Sequence, residues 1–267
     1  MKLKDIYLIP DMEHIEESLE LAKQYHARFE YNDFFLPKVY LDEAEVEKRI
    51  CFYQSLERDR SKDTLHGAFL DVTIHSQDAQ IREISRARVR QSLEIARRLG
   101  IRGVVFHANL IAGYYDESYL NGWFAASVEF FKEMLIAFPE LEIYLENMFE
   151  SRPDELKQLA EAMKAEPGFG LCLDYAHATV FGKDVSHWVT ELAPYIKHLH
   201  VNDNDLEGDK HWAVGDGRID WAEFSEVLRK NNVDTSVLLE VRGNGNWKKS
   251  VEYMEEHAVY PWQGCHS

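Results

Sequence analysis

Cysteine is scarce in this chain. Only Cys51, Cys172 and Cys265 occur, far apart, with no CxxC spacing and an odd count, which excludes a disulfide framework and a thiolate metal site. Cys172 lies on an apolar run, where a small buried hydrophobe is its ordinary role. Long hydrophobic stretches are also missing: none approaches the roughly 18 residues a membrane helix needs. The opening MKLKDIYLIPDMEH turns acidic before it can form a signal-peptide core. A cytoplasmic protein without a membrane partner is therefore expected. Basic residues are outnumbered, 30 against 47 acidic ones, for a net charge of −17. Such a chain repels polyanions on average, so nucleic acid is not an expected partner. The one basic segment, RARVRQSLEIARR at 86–98, carries periodic apolar positions at Val89, Leu93, Ile95, Ala96 and Leu99. It reads as an amphipathic helix with a solvated basic face.

What is present is a regular alternation. Short apolar runs at 6–9, 29–36, 64–70, 103–109, 141–146, 170–174, 196–201 and 237–241 read as strands. Between them lie amphipathic stretches at 13–28, 43–57, 79–99, 118–138, 153–165, 185–193, 221–231 and 247–256 that read as helices. Ser151 and Asp220 are the expected N-caps of two of these. No Gly/Ser- or Pro-rich linker interrupts the pattern. Eight strands alternating with eight helices predict an α/β fold, a single-domain (β/α)8 TIM barrel over 1–267. A doubly wound open sheet is the rival, but no GxGxxG follows the first strand.

Polar groups recur where these strands end: His66 in TLHGAF, His107 in VVFHAN, Glu146 in IYLENM, Asp174 and His177 in LCLDYAHA, His200 in HLHV and Glu240 in VLLEVRG. Asp209 and His211 follow in the loop after His200. Any one of them has a plain reading as a hydrogen-bonded loop or core residue. Together they occupy the barrel face where catalytic groups sit, and buried carboxylates and imidazoles are costly unless paired or metal-bound. The set predicts a divalent metal site. Arg242, two residues past Glu240, is placed to take a phosphate or carboxylate, or to form an ion pair at the rim. Trp212, Tyr175, Phe149 and Trp123 either wall a sugar face or pack between loops. Asn109, Asn202, Asp203 and Lys210 either bond substrate hydroxyls or satisfy loop backbone.

These residues resemble the xylose-isomerase-like barrels, which include sugar and sugar-phosphate isomerases and epimerases and the endonuclease IV type of apurinic endonuclease. In sugar-acting members, two glutamates, an aspartate and a histidine hold one ion, and Glu146, Asp174, His200 and Glu240 match them. Endonuclease IV-like members add strand-three and strand-four histidines, a DxxH pair and a DxH pair before a GxG loop. His66, His107, the Asp174 and His177 pair, and the Asp209 and His211 pair before GDG match that fuller set. The segment GDGRIDW also looks like the GxGxxDW of sugar-phosphate isomerase-like members.

The resemblance implies a metal-dependent isomerase or epimerase acting on a small sugar or sugar phosphate through an enediolate. Glu146 and Glu240 would be its acid and base, and Arg242, Asn109, Lys210 and Trp212 its substrate contacts. Two alternatives stay open: an endonuclease IV-like multinuclear zinc phosphodiesterase, and a non-catalytic metal-stabilised binding barrel. Nine ligand candidates, five of them imidazoles, exceed what one ion takes. More than one ion is expected, zinc or manganese before magnesium. Whether the protein forms a homo-oligomer is left open.

Overall fold

A computed structural model describes residues 5–262; Cys265 lies outside them. Eight strands, β1 (Ile6–Leu8), β2 (Arg28–Tyr31), β3 (Thr64–His66), β4 (Gly103–His107), β5 (Glu142–Glu146), β6 (Phe169–Asp174), β7 (Ile196–Val201) and β8 (Ser236–Leu239), pair in sequence order and close into a barrel. Every pairing is parallel, including β8 on β1. Parallel strands are covered on both faces, which is why they read as nearly continuous apolar runs. Leu65, Val104, Leu199 and Val237 are fully buried.

The helices are α1 (Ile15–Tyr25), α2 (Pro37–Tyr40), α3 (Glu43–Ser55), α4 (Ala79–Leu99), α5 (Glu117–Ala137), α6 (Asp154–Ala162), α7 (Tyr175–Phe181), α8 (Val185–Leu192), α9 (Trp221–Lys230) and α10 (Asn244–Glu256). α4 begins and ends where its signals say: Asp78 accepts from the Gln80 and Ile81 amides, and Gly100 closes it with φ +69°. Asp220 caps α9 as expected, accepting from Ala222 and Glu223. Ser151 is not a cap. Pro153 holds that position on α6 without a side-chain bond, while the Ser151 hydroxyl pairs with that of Tyr115. β2 is shorter than its apolar run: residues 32–36 form a bend outside the strand, and α2 opens at Pro37.

Four of the six arginines of α4 are paired with glutamates. Arg86, Arg90 and Arg97 meet Glu129, Glu133 and Glu140 at 3.7, 2.7 and 2.7 Å, and Arg98 meets Glu47 of α3 at 2.6 Å. Among the described residues, no helix is long and apolar enough to cross a membrane.

Candidate metal centre

Strand register brings the polar groups to one level. His107 is the β-ladder partner of Glu146, and Asp174 is that of His200. Glu146 stands at the middle. Its Oε2 lies 3.5 Å from His66 Nε2 and 3.2 Å from His107 Nε2. Its Oε1 lies 3.2 Å from His200 Nδ1 and 3.7 Å from His177 Nδ1. Glu240 Oε2 approaches the same His200 nitrogen at 3.5 Å. At the open side, Asp209 Oδ2 is 3.5 Å from His177 Nε2 and 2.9 Å from His211 Nε2. All nine candidates from the sequence thus converge on one cluster.

The imidazoles are held by their far nitrogens. His66, His177 and His211 each direct Nδ1 at a backbone carbonyl, those of Gly67 (3.0 Å), Asn147 (2.9 Å) and Glu240 (2.9 Å). A ring nitrogen facing a carbonyl oxygen carries the proton, which leaves Nε2 as the lone-pair atom. Asn147 also braces β6, exchanging bonds of 2.9 and 2.8 Å with the Asp174 backbone.

Charge in the pocket is strongly coupled. Burial drives the Glu146 and Glu240 carboxyls upward, but His200 and its imidazole neighbours outweigh it and hold both below the usual range. Asp174 goes the other way: burial, helped by Glu146, Glu240 and Asp209, pushes it up to about 7. Burial would lower His211, yet Asp209 and Glu240 bring it up to about 9. Glu146 Oε2, Asp174 Oδ2 and Glu240 Oε2 are buried with no hydrogen-bond partner among the described residues. Orphaned carboxylate oxygens are expensive unless a cation takes them. Glu146, Asp174, His200 and Glu240 each offer an atom within 4.8 Å of the others, as do His66, His107 and Glu146. A mixed N/O donor set of this kind fits divalent zinc or manganese.

The cluster floors a cleft of ≈ 900 Å³ whose walls include Phe35, Phe69, Met148, Lys38 and Arg242. Arg242 and Lys38 are exposed and have no side-chain partner among the described residues. Asn109, Lys210 and Trp212, expected at the substrate, do not line it. Asn109, at φ +52°, donates instead to the Phe69 and Val72 carbonyls (3.3 and 2.8 Å), tying the loops after β3 and β4 together. Lys210 lies 3.8 Å from Asp205, and Trp212 exchanges backbone bonds with Asp203. Trp123 and Tyr175 are buried packing residues, and Phe149 stands edge-on to Phe181.

Asp203 organises the loop that carries Asp209 and His211. Its carboxylate accepts from the Asn204, Gly215 and Ile219 amides and from Trp221 Nε1, at 2.8 to 3.2 Å. Gly215 has φ +94°, and a Cβ on Gly217 would collide with Asp203 Oδ1 and the Asn204 backbone. That is the physical reason for GDG at this point.

Two residues of the site escape the sequence reading. Glu30 of β2 and His198 of β7 are wholly buried beneath the cluster. Neither stands at a strand end, so the pattern that finds the others passes over them.

A Thermus thermophilus protein whose crystals were soaked with ZnCl2 superposes with TM-score 0.72 at 24% identity, covering 97% of this chain and 98% of its own. A D-tagatose 3-epimerase-like protein gives 0.73 at 21% identity, with 96% and 97% covered. In sequence, an apurinic-apyrimidinic endonuclease of Caenorhabditis elegans is 25% identical over 190 residues, 63% of this chain and 47% of that protein. The model of the xylose isomerase-like TIM barrels matches residues 15–257, and with the closed barrel and its ring of strand-end donors this chain belongs to that family.

Proposed function

We propose that this protein hydrolyses a phosphoester bond in a small phosphorylated molecule, using two or more divalent ions held by His66, His107, Glu146, Asp174, His177, His200, Asp209, His211 and Glu240. The observation that carries this reading is the placement of Glu146, whose Oε2 faces His66 and His107 while Oε1 faces His200, so that it belongs to two donor groups at once. A one-ion sugar isomerase has use for Glu146, Asp174, His200 and Glu240 alone. It gives no role to His66 and His107, whose Nε2 atoms face each other over Glu146, or to the Asp209 and His211 pair at the open side. Ions bound there would generate hydroxide near neutral pH and neutralise charge on a phosphoryl group under attack.

The chain's own contribution is positioning. Arg242 and Lys38 are the unpaired cations of the cleft and suit one phosphate group. Phe35, Phe69 and Met148 offer an apolar wall against which the non-reacting part of a small substrate can pack. Duplex DNA is a poor fit, because four of the six arginines of α4 are already matched by glutamates and the net charge is −17. The relationship to an apurinic-apyrimidinic endonuclease supports the bond type, not the size of the substrate.

One observation favours a second reading, a sugar or sugar-phosphate isomerase or epimerase. Glu146 and Glu240 both face His200 Nδ1, at 3.2 and 3.5 Å, so two carboxylates flank one point. One would remove a proton from carbon and the other return it. Metal-loaded protein offered phosphate mono- and diesters, abasic duplex DNA and an aldose and ketose panel separates the readings. Phosphate or alcohol release from small esters is expected. Solvent deuterium entering a sugar, with no ester cleaved, would replace hydrolysis with epimerisation, and full metal loading without any turnover would leave a binding barrel.

A further inference from the structure

His200 differs from the other imidazoles of the centre. It presents Nδ1 to the cluster and turns Nε2 down into the barrel, where it meets Glu30 Oε1 at 3.1 Å. Three of the other four are held by backbone carbonyls and one, His107, has Nδ1 3.0 Å from the Met148 sulfur. His200 alone has a carboxylate behind it.

That carboxylate is itself fixed. Glu30 Oε2 accepts from Thr64 Oγ1 at 2.6 Å and faces His198 Nε2 at 3.3 Å, and His198 Nδ1 lies 2.7 Å from Ser236 Oγ. The Thr64 hydroxyl donates to Glu30, while His198 Nε2 and His200 Nε2 face the same carboxylate as close charge contacts rather than aligned hydrogen bonds. A carboxylate facing Nε2 of His200 favours the proton on that nitrogen, which leaves the lone pair of His200 on Nδ1. Glu30, Thr64, His198 and His200 are each 0 to 1% exposed, so no solvent competes for these contacts.

We infer that Glu30 is a positioning residue that makes the seat formed by Glu146, Asp174, His200 and Glu240 the tightest in the centre, and the one at His66 and His107 the more readily exchanged. An anionic partner behind an imidazole fixes its tautomer and raises its basicity more than a neutral carbonyl does. The inference rests on the reading that these residues hold divalent ions, but not on which reaction they serve.

The test loads wild-type and Glu30→Gln protein with zinc, titrates both with a competing chelator, and counts retained ions by elemental analysis. Wild type should release its ions in separate steps. In Glu30→Gln the last step should weaken by ~10- to 100-fold, the scale for an outer partner of a ligand, with the earlier step unmoved. Melting of the chelated proteins checks that both still fold. Should Glu30→Gln fail to fold, Thr64→Val, which removes one hydroxyl from Glu30, must weaken the same last step and no other. A last step that stays put in the folded variant, or all steps weakening alike, overturns the assignment. Because ion retention is measured without turnover, failure of the hydrolase reading leaves this result intact, and the reverse also holds.

Discussion

His66 Nε2 and His107 Nε2 face each other across 3.1 Å, over the same oxygen of Glu146. Two zinc–nitrogen bonds of about 2.1 Å at a tetrahedral angle set their nitrogens roughly 3.4 Å apart, so this spacing is close to that of a ligand pair. Elemental analysis of protein purified without added metal should therefore find more than one divalent ion per chain. His66→Ala with His107→Ala should remove one ion and keep another. A single ion that leaves both histidines uncoordinated would sink the multinuclear reading.

Glu146 serves both halves of the centre, whereas Glu240 serves one. Replacing either with Gln takes a charged oxygen from the ions it would hold and should slow ester hydrolysis by more than the ~10- to 100-fold that loss of an outer partner costs. Only Glu146→Gln should lower the ion count at both seats, and equal ion loss in the two variants would contradict the bridging arrangement.

Arg242 is an unpaired guanidinium at the wall of the cleft. Losing a charge-assisted hydrogen bond of about 1.5 kcal/mol corresponds to roughly a tenfold change. Arg242→Ala should thus raise KM for a phosphate ester about tenfold with kcat little changed, and should relieve inhibition by inorganic phosphate. Abasic duplex DNA should show no measurable binding at physiological salt. Salt-sensitive cleavage of such DNA would make the nuclease the better description.

Asp203 takes four donors while buried. Asp203→Ala strands them and should cost roughly 3 kcal/mol, read as a lowered denaturation midpoint. Because the same loop bears Asp209 and His211, ion affinity should fall with it. Unchanged stability would show that the loop holds its shape without the carboxylate.

His75 lies away from the centre, its Nε2 3.1 Å from the Tyr119 hydroxyl, and burial alone holds its pKa down at about 4. A histidine depressed in the folded state contributes stability that is complete above the unfolded value, near 6.5, and drains away as pH falls toward 4. Discounted for partial exposure, the loss at pH 5 should be on the order of 1 kcal/mol. His75→Phe should flatten the difference in melting temperature between pH 7 and pH 5; an identical difference in both proteins would place the acid sensitivity elsewhere.

Much of this is legible in the chain because it obeys local rules. α4 carries its Asp78 cap, its apolar stripe and Gly100, and its ends are where those signals put them. The strand-end donors stand out because each is a polar residue closing an apolar run. Glu30 is different: between Phe29 and Tyr31 it looks like an ordinary alternating position, and its role depends on His198 and His200, far away in sequence. α7 hides for a related reason. Asp174 ends β6 and caps this helix at once, so no turn separates the two elements. Asn109 departs from its expected place at the substrate because its positive φ and its hold on the preceding loop are tertiary facts.

The arginine ladder between α4 and α5 has one further consequence. Arg86, Arg90 and Arg97 each meet a glutamate 43 residues ahead, so the three pairs share a single offset. Exposed pairs of this kind are worth only ~0.2–1 kcal/mol apiece, yet a slip of α5 along α4 breaks the Arg86 and Arg90 pairs together and drags the turn after α5 that carries Glu140. The ladder has one matching position, and that position coincides with the β4–β5 register in which His107 is level with Glu146. Charges on the outside of the barrel are thus in step with the strand register at its mouth.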